Sequence, residues 1–175
     1  VAPARRDFRY DTPMSSSAAG VRGTEVRDDE GTRGLEVRFD VDAPRDAVLD
    51  LLWDPAHFPE LYPEIESVAI LERDDRRMRA EYRVNAVVKR VRYELERTLD
   101  RESGTLRWRE LGGDLRKVRG EWRVDARGSG STLTYRAFVD VGYFVPTALV
   151  RDLAMAKLGE MVARVQRVAG RLTAR

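Results

Sequence analysis

The sequence contains no cysteine and a single histidine, His57. The absence of cysteine excludes disulfide bonds, thiolate zinc sites and a thiol nucleophile, and one imidazole cannot build a multi-histidine metal site. No Gly-x-Ser-x-Gly nucleophile motif accompanies His57, so we expect this side chain to have a structural or solvent-exposed role. We therefore predict no metal ion, no cofactor and no catalytic residue.

Long apolar runs are also absent: none approaches the roughly 20 residues that a membrane-spanning helix requires. Residues 1–20 lack the apolar core of a signal peptide, and we predict a cytoplasmic location. Neither sign of charge dominates, because the sequence has 32 Lys and Arg residues and 30 Asp and Glu residues, with a formal net charge of +2. This balance does not indicate a nucleic-acid partner.

The length of 175 residues suits one domain. Residues 1–20 mix Pro, Arg, Ser, Ala and Gly without apolar periodicity, which predicts a disordered or loosely held N-terminal tail. Residues 21–34 predict an edge strand or a loop, because glycines flank a charged run at 27–30. The folded ligand-binding domain is predicted to span residues 35–172.

Regular alternation begins at Leu35, where apolar residues at every second position up to Val41 predict a half-buried antiparallel strand. Aspartate followed by proline at 42–44 and again at 54–55 then predicts two short helices. The second of these carries His57 and ends before Pro63 in this interpretation.

Six further strands are predicted after Pro63, separated by turn-forming residues. They span residues 65–72, 77–87, 90–99, 105–111, 117–124 and 132–141. The glycines of Gly128-Ser129-Gly130 stand between two of these strands with no helix or lysine behind them, which predicts a hairpin turn rather than a phosphate loop. A broad apolar stripe after Pro146 predicts one long C-terminal helix.

The two faces of the predicted sheet differ in chemistry. One face collects apolar and aromatic side chains, and the other collects arginine and glutamate in mixed order, as expected for cross-strand ion pairs that face water. A nucleic-acid platform would need exposed aromatic residues among its cations. Here the aromatic residues take the opposite parity, and we predict no nucleic-acid partner.

A twisted antiparallel sheet of six to seven strands curls around the one long helix that covers it, which gives an α+β fold. A single helical stripe cannot fill the concave side of such a sheet, so either bulky side chains meet or a cavity remains. Ala80, Gly120 and Ala137 occur among the inward-facing aromatic residues and favour a cavity. The alternative is an aromatic core in which every hydroxyl is satisfied internally.

Several short motifs follow one another in a characteristic order. They are Asp42-Ala43-Pro44-x-x-Ala47-Val48, Trp53-Asp54-Pro55-x-x-Phe58-Pro59-x-Leu61-Tyr62-Pro63, Gly120-x-Trp122, Gly130-x-Thr132-x-x-Tyr135 and Val145-Pro146. In their order and spacing over residues 35–172, the sequence resembles the START-related polyketide cyclase/dehydrase and coenzyme Q-binding group, which shares the birch-pollen-allergen fold. The resemblance implies a helix-grip, in which the curved sheet wraps around the C-terminal helix and two short helices follow the first strand.

The resemblance implies binding or transport of a hydrophobic small molecule, such as a lipid, an isoprenoid or quinone, or a polyketide-like compound. Coenzyme Q-binding members tend to place Trp-Cys after the proline that matches Pro63, and Glu64-Ile65 in this chain departs from that pattern. One alternative is a polyketide aromatase/cyclase, and another is a protein that acts through its surface and has a filled cavity. The predicted ligand-binding residues are Phe58, Leu61, Met78, Tyr82, Tyr93, Arg97, Trp108, Trp122, Tyr135, Leu153 and Met161.

Two sets of charged residues admit more than one interpretation. Arg97 has inward parity and could present its guanidinium to a ligand, extend to water at the strand end, or pair with Glu110. The row Arg164, Arg167, Arg171 and Arg175 on the last helix indicates a solvated face, with transient membrane contact as a further hypothesis. The pattern leaves the oligomeric state open.

Overall fold

The computed structural model describes residues 21, 23–86, 89–142 and 147–174. The predicted tail at 1–20, Val87 in a predicted strand, and the Val145-Pro146 pair lie outside the described residues. The elements in chain order are β1 (Thr24–Arg27), β2 (Arg33–Val41), α1 (Arg45–Trp53), a 3₁₀ turn (Pro55–His57), α2 (Phe58–Leu61), β3 (Ile65–Arg73), β4 (Arg77–Ala86), β5 (Lys89–Asp100), β6 (Thr105–Gly113), β7 (Lys117–Arg127), β8 (Gly130–Asp140) and α3 (Thr147–Thr173).

The eight strands form a single antiparallel sheet in the order β1-β2-β8-β7-β6-β5-β4-β3. Strands β3 to β8 follow one another as hairpins, and β2 adds to the far side of β8. The expected count of six to seven strands was therefore too low. The additional strand is β1, which lies in residues 21–34, where the sequence left an edge strand and a loop as alternatives. β1 is short and has no buried residue, so no apolar alternation could decide between them.

The core lies between the concave face of the sheet and α3. In β2, Val37, Phe39 and Val41 are buried while the intervening Arg38 and Asp40 are exposed, which confirms the predicted alternation. From α3, the buried residues include Val162 and Val165, and each such aliphatic side chain contributes about 1.5–3 kcal/mol through burial. The predicted α+β helix-grip architecture is confirmed.

The two short helices close one end of the sheet. Pro44 precedes α1, whose Val48, Leu49, Leu51 and Leu52 are buried. The predicted second helix is divided into the 3₁₀ turn and a single turn of α2, because the Asp54 carboxylate accepts a hydrogen bond from the Ala56 backbone N–H at 3.1 Å and starts a tight turn.

Arg45 at the start of α1 connects this helix to β7 and to the turn between β5 and β6. Its Nη2 donates to the carbonyl oxygens of Arg101 at 2.7 Å and Glu102 at 2.8 Å, and its Nε donates to the carbonyl of Val124 at 3.2 Å. These bonds hold the α1 end of the molecule closed. No helix within the described ranges is long and apolar enough to cross a membrane.

The outer face of the sheet carries the predicted cross-strand ion pairs. Glu96 accepts from Arg77 at 2.7 Å and from Arg109 at 2.8 Å. Arg79 binds Glu94 at 2.6 Å on the neighbouring strand. Because these cations are already matched with carboxylates, the outer face has the character of a solvated structural surface. The absence of a nucleic-acid partner stays a prediction.

The turn between β1 and β2 folds over this outer face and is bound to β7. Both Nε and Nη2 of Arg119 donate to Asp28 Oδ2, at 3.1 and 2.5 Å, while Oδ1 accepts from the backbone N–H groups of Glu30 and Thr32 at 3.0 and 2.8 Å. Desolvation of the Asp28 carboxyl raises its pKa, but the hydrogen bonds outweigh this effect and hold the pKa well below its usual range.

We predict that Asp28→Asn lowers the melting temperature at pH 7 by a few degrees. The native pKa of Asp28 is lowered, so its stabilising contribution is complete above the unfolded value near about 4 and is lost as pH falls toward the native value. The gap between wild type and variant should therefore shrink in thermal melts recorded below about pH 4. Asp29→Asn at the exposed neighbouring position is the control, and a gap that stays constant down to pH 2 would contradict this assignment.

Candidate functional site

A cavity of about 370 Å³ lies between the concave face of the sheet and α3. This volume falls near the lower end of the range found for small-molecule sites. Apolar side chains from the sheet and the helix form most of its wall, and two polar side chains follow α2. These lining residues are Leu35, Tyr135, Ala137 and Val139 from the sheet, Ala154, Leu158 and Met161 from α3, and Tyr62 and Glu64 from the connection to β3.

The space in the cavity follows from small residues on neighbouring strands. Ala137 of β8 lies between Leu35 of β2 and Gly120 of β7 in the register of the sheet. A Cβ atom at Gly120 would lie 2.5 Å from Cζ2 of Trp108 and 2.2 Å from the carbonyl oxygen of Arg136. Gly120 therefore provides the room in which the Trp108 ring packs, and Ala137 leaves open the space beneath α3.

An aromatic cluster forms the floor beside this space. The ring of Tyr135 stacks on Trp108 at a centroid distance of 5.7 Å and contacts Trp122 at 4.6 Å. Trp122 also packs edge-on against Phe39, and its Nε1 donates to the Tyr62 hydroxyl at 3.2 Å. These contacts fix the orientation of the tyrosine rings at the cavity wall.

The tyrosines at the cavity are hydrogen-bond donors at neutral pH. Burial raises the pKa of Tyr62, Tyr93 and Tyr135 above the usual value of about 10, and the negative charge of Glu64 acts in the same direction on all three. For Tyr62, the Arg97 guanidinium and the hydrogen bond from Trp122 oppose part of the increase. The Tyr62 oxygen accepts from Trp122, so its own proton can be donated to a ligand.

Arg97 is only 5% exposed, so it does not extend to water. Its Nη2 donates to the Leu52 carbonyl at 2.7 Å, and its guanidinium carbon lies 4.5 Å from the ring centroid of Phe58. Glu110 accepts a hydrogen bond from the Val118 backbone N–H at 3.0 Å. The hypothesis of an Arg97–Glu110 pair was therefore wrong, because the backbone supplies a partner to each side chain.

Two buried polar atoms beside this arginine lack a protein partner. Arg97 Nη1 and the Tyr82 hydroxyl make no hydrogen bond of good geometry to any described residue. Burial raises the pKa of Tyr82, while the charge of the neighbouring Arg97 guanidinium and a weak hydrogen bond from it lower the pKa. Unsatisfied buried donors of this kind are rare and indicate a place for a water molecule or a polar ligand atom.

The structure distributes the predicted ligand-binding residues over three environments. Tyr135 and Met161 line the cavity. Tyr93, Trp108 and Leu153 are partly buried, and Trp108 supports Tyr135 from below. The remaining predicted residues are buried in the core: Phe58, Leu61, Met78, Tyr82, Arg97 and Trp122.

Sequence reasoning did not select several residues that line the cavity. Leu35, Ala137 and Val139 share the inward parity, yet large aromatic residues were preferred over them as ligand contacts. Tyr62 and Glu64 flank Pro63 in the longest motif, which was the available signal for them. Leu35 meets Ala137 and Val139 because β2 pairs with β8, and no local sequence pattern predicts which strands pair.

A larger depression of about 890 Å³ lies at the other end, between α1 and the turns that follow β3 and β5. Its walls are charged, and Asp50 and Arg101 within it pair with each other at 2.6 Å. His57 lines this depression and not the apolar cavity. No cluster of His, Asp and Glu that could hold a metal ion occurs among the residues that the structure describes.

A curved sheet that wraps a long helix above an apolar cavity defines a helix-grip ligand-binding protein. The chain belongs to the family of polyketide cyclases/dehydrases and lipid transport proteins, whose model matches residues 41–166. Membership confirms the resemblance seen in the sequence. It supports binding of a hydrophobic small molecule or an aromatase/cyclase role without deciding between them.

Solved structures with the same fold come from several bacteria. A STAR-related lipid transfer protein from Xanthomonas axonopodis has a TM-score of 0.70 at 16% identity, over 89% of this chain and 96% of that chain. A START superfamily protein from Mycobacterium smegmatis has a TM-score of 0.69 at 18% identity, over 80% and 99% of the two chains. The Zhui aromatase/cyclase from a Streptomyces strain has a TM-score of 0.63 at 21% identity, over 78% and 94%. No curated protein matches the sequence significantly.

We predict that Gly120→Ala destabilises the protein by about 1–3 kcal/mol, since its methyl group would collide with Trp108 and with the β8 backbone. The matched control is Gly159→Ala in α3, where an added Cβ meets no atom within 4 Å. This change should stabilise the protein by up to about 1 kcal/mol, because alanine favours the helix. Urea denaturation measures both effects, and a Gly120→Ala variant as stable as wild type would show that the Trp108 ring is not confined there.

Proposed function

We propose that this protein binds a hydrophobic small molecule in the cavity between the sheet and α3. The observation that carries the proposal is the apolar wall formed by Leu35, Ala137, Val139, Leu158 and Met161 around space that side chains leave unfilled. Transfer of a ligand from water to such a wall is favourable by about 25 cal/mol for each Å² of apolar surface removed from water. Family membership and the lipid-transfer and aromatase/cyclase neighbours support the same class of ligand.

The size of the cavity favours a compact ligand. At roughly 30 Å³ for each water-sized group, about a dozen non-hydrogen atoms fill the available 370 Å³. A fused two-ring compound or a short isoprenoid or acyl chain meets this limit, whereas an intact two-chain phospholipid exceeds it. We therefore favour carriage of a small ring system or a single short chain over transport of a membrane lipid.

Polar groups at two depths would orient this ligand. The hydroxyls of Tyr62 and Tyr135 lie at the cavity wall as protonated donors. Deeper in the core, Arg97 Nη1 can donate a hydrogen bond to a ligand atom. The Tyr82 hydroxyl beside it can either donate or accept one. A ligand oxygen, or a water that bridges to the ligand, would satisfy these groups.

We predict that Ala137→Trp abolishes uptake of 2-naphthol, a neutral ring compound of about the right volume, because the indole would occupy the space above Ala137. In an open cavity the substitution should change the free energy of unfolding by less than about 1 kcal/mol, whereas overpacking of a filled core costs about 1–3 kcal/mol. Quenching of tryptophan emission during titration measures binding to the wild type.

The control is Ala163→Trp, at an exposed position of the same helix, which should bind 2-naphthol as the wild type does. A wild type that takes up no 2-naphthol, combined with strong destabilisation by Ala137→Trp, would contradict the proposal. That result would favour a filled cavity and a protein that acts through its surface.

A second candidate function is the aromatase/cyclase reaction, and the observation that favours it is the group of neutral tyrosines around Glu64. In aldol closure, a base removes a proton between two carbonyls, and the enolate carbon bonds to a distant carbonyl carbon, whose C=O π bond opens to an alkoxide. The alkoxide takes the proton back from the base, and the hydroxyl then leaves as water with a second proton from the adjacent carbon. The Tyr62 and Tyr135 hydroxyls could donate to the enolate oxygen in a site of low polarity.

This candidate predicts that Tyr62→Phe and Tyr135→Phe each lower the rate of cyclisation of a poly-β-ketone thioester by about 100-fold, since each removes one donor to the enolate. Uptake of 2-naphthol should change little, because the ring remains and only a hydroxyl is lost. Product formation followed by chromatography provides the measurement. A wild type that binds the thioester without cyclising it would assign the protein to the carrier class.

A further inference from the structure

The mouth of the cavity carries more cationic than anionic side chains. The charged residues that line it are Arg33, Arg151, Lys157 and Arg164, together with Glu25 and Glu64. Charges at the mouth of an apolar cavity act on whatever part of a ligand is left outside the apolar wall. The charge that a ligand's outer end meets therefore depends on which of these side chains are already neutralised by ion pairs within the protein.

One cation and one carboxylate of this rim are bound to each other. Arg164 Nη2 lies 3.4 Å from Glu64 Oε1, and Arg164 Nε donates to the Leu61 carbonyl at 3.0 Å. Both side chains are partly buried, so this pair joins α3 to the connection after α2. It contributes little net charge to the mouth.

Two further cations are held only by exposed partners. Arg151 pairs with Asp152 at 3.1 Å, and Lys157 pairs with Glu160 at 3.1 Å. Both partners are more than half exposed and neither lines the cavity, so the cations lie closer to the ligand than their partners do. Exposed pairs of this kind contribute about 0–1 kcal/mol and exchange readily for another anion.

Among the four cations that line the cavity, Arg33 differs because the described part of the chain gives it no partner. It makes no ion pair or hydrogen bond with any described residue, Glu25 included, although it lines the cavity. Arg33 is the first residue of β2 and has the same parity as Leu35 and Val37, which places it on the concave face. A guanidinium in this place offers a planar fork of donors to a carboxylate.

We propose that the natural ligand is an amphiphile with one anionic head group, which Arg33 holds at the mouth while the apolar body fills the cavity. The proposal rests on the proposed function and deepens it by naming the class of ligand. Arg151 and Lys157 reinforce the preference for an anion by exchanging their exposed partners for the head group. A neutral head group would gain no charge attraction from Arg33, and a cationic one would be repelled.

Three probes with the same chain separate these cases: octanoate, octanamide and octylammonium. Each has about ten non-hydrogen atoms and so about 300 Å³ at roughly 30 Å³ per atom, which fits the cavity. Calorimetric titration at pH 8 and low salt should show octanoate binding about tenfold more tightly than octanamide, with octylammonium the weakest of the three. The preference for octanoate should decline as salt is added.

Arg33→Gln should remove most of the preference for octanoate, leave the smaller part that Arg151 and Lys157 supply, and leave octanamide affinity unchanged. Arg38→Gln removes the same charge from the same strand on the opposite, exposed face, and should retain the full preference. Both positions are exposed, so neither change threatens folding.

Equal affinity of wild type for octanoate and octanamide would overturn the anionic class of ligand and leave hydrophobic binding intact. A preference of undiminished size in Arg33→Gln would overturn the role of Arg33. Absence of binding for all three probes and for 2-naphthol would instead overturn the proposed function itself.

Discussion

A single helix has to cover the concave face of an eight-stranded sheet, and its apolar stripe is narrower than that face. Much of the remaining architecture follows from this mismatch. α3 packs on β2 and on the two short helices, while α1 reaches β7 and β8. Aromatic side chains such as Trp122 and Tyr82 fill the deep part of the concavity. Where α3 passes over small residues, the space remains open and becomes the cavity.

The outer face provides carboxylate partners for many of the arginine side chains. Arg79, Arg109 and Arg119 each have a carboxylate on a neighbouring strand or turn, so the strands are held in register by many weak pairs. Asp28 adds a bond between the first hairpin and β7. Most charges of this face are matched in the folded chain, whereas the proposed ligand site lies on the concave side and at the cavity mouth.

Polar groups on the concave side occur at three depths, and each depth suits a different part of a ligand. Arg97 and Tyr82 lie in the core with unsatisfied atoms, Tyr62 and Tyr135 lie at the cavity wall, and Arg33 lies at the mouth. Burial keeps the tyrosines protonated, so they stabilise neutral or partly negative oxygen. The same arrangement serves a carrier that orients an amphiphile and an enzyme that stabilises an enolate, which is why turnover of a poly-β-ketone and binding of a simple probe have to be measured separately.

Local patterns in the sequence determined the elements of this protein other than β1. Period-2 alternation identified β2, the aspartate-proline pairs identified both short helices, and the apolar stripe identified α3, because these signals depend only on which face of one element is buried. The tertiary structure alone decided that β2 joins β8, which brings Leu35 beside Ala137 and creates the cavity wall. It also decided the hydrogen-bond partners of Arg97 and Glu110. Both residues have inward parity, but each binds a backbone group of another element, and sequence spacing does not predict such a partner. Non-local strand pairing is the physical reason for this division, because the inner surface exists only once distant strands have met.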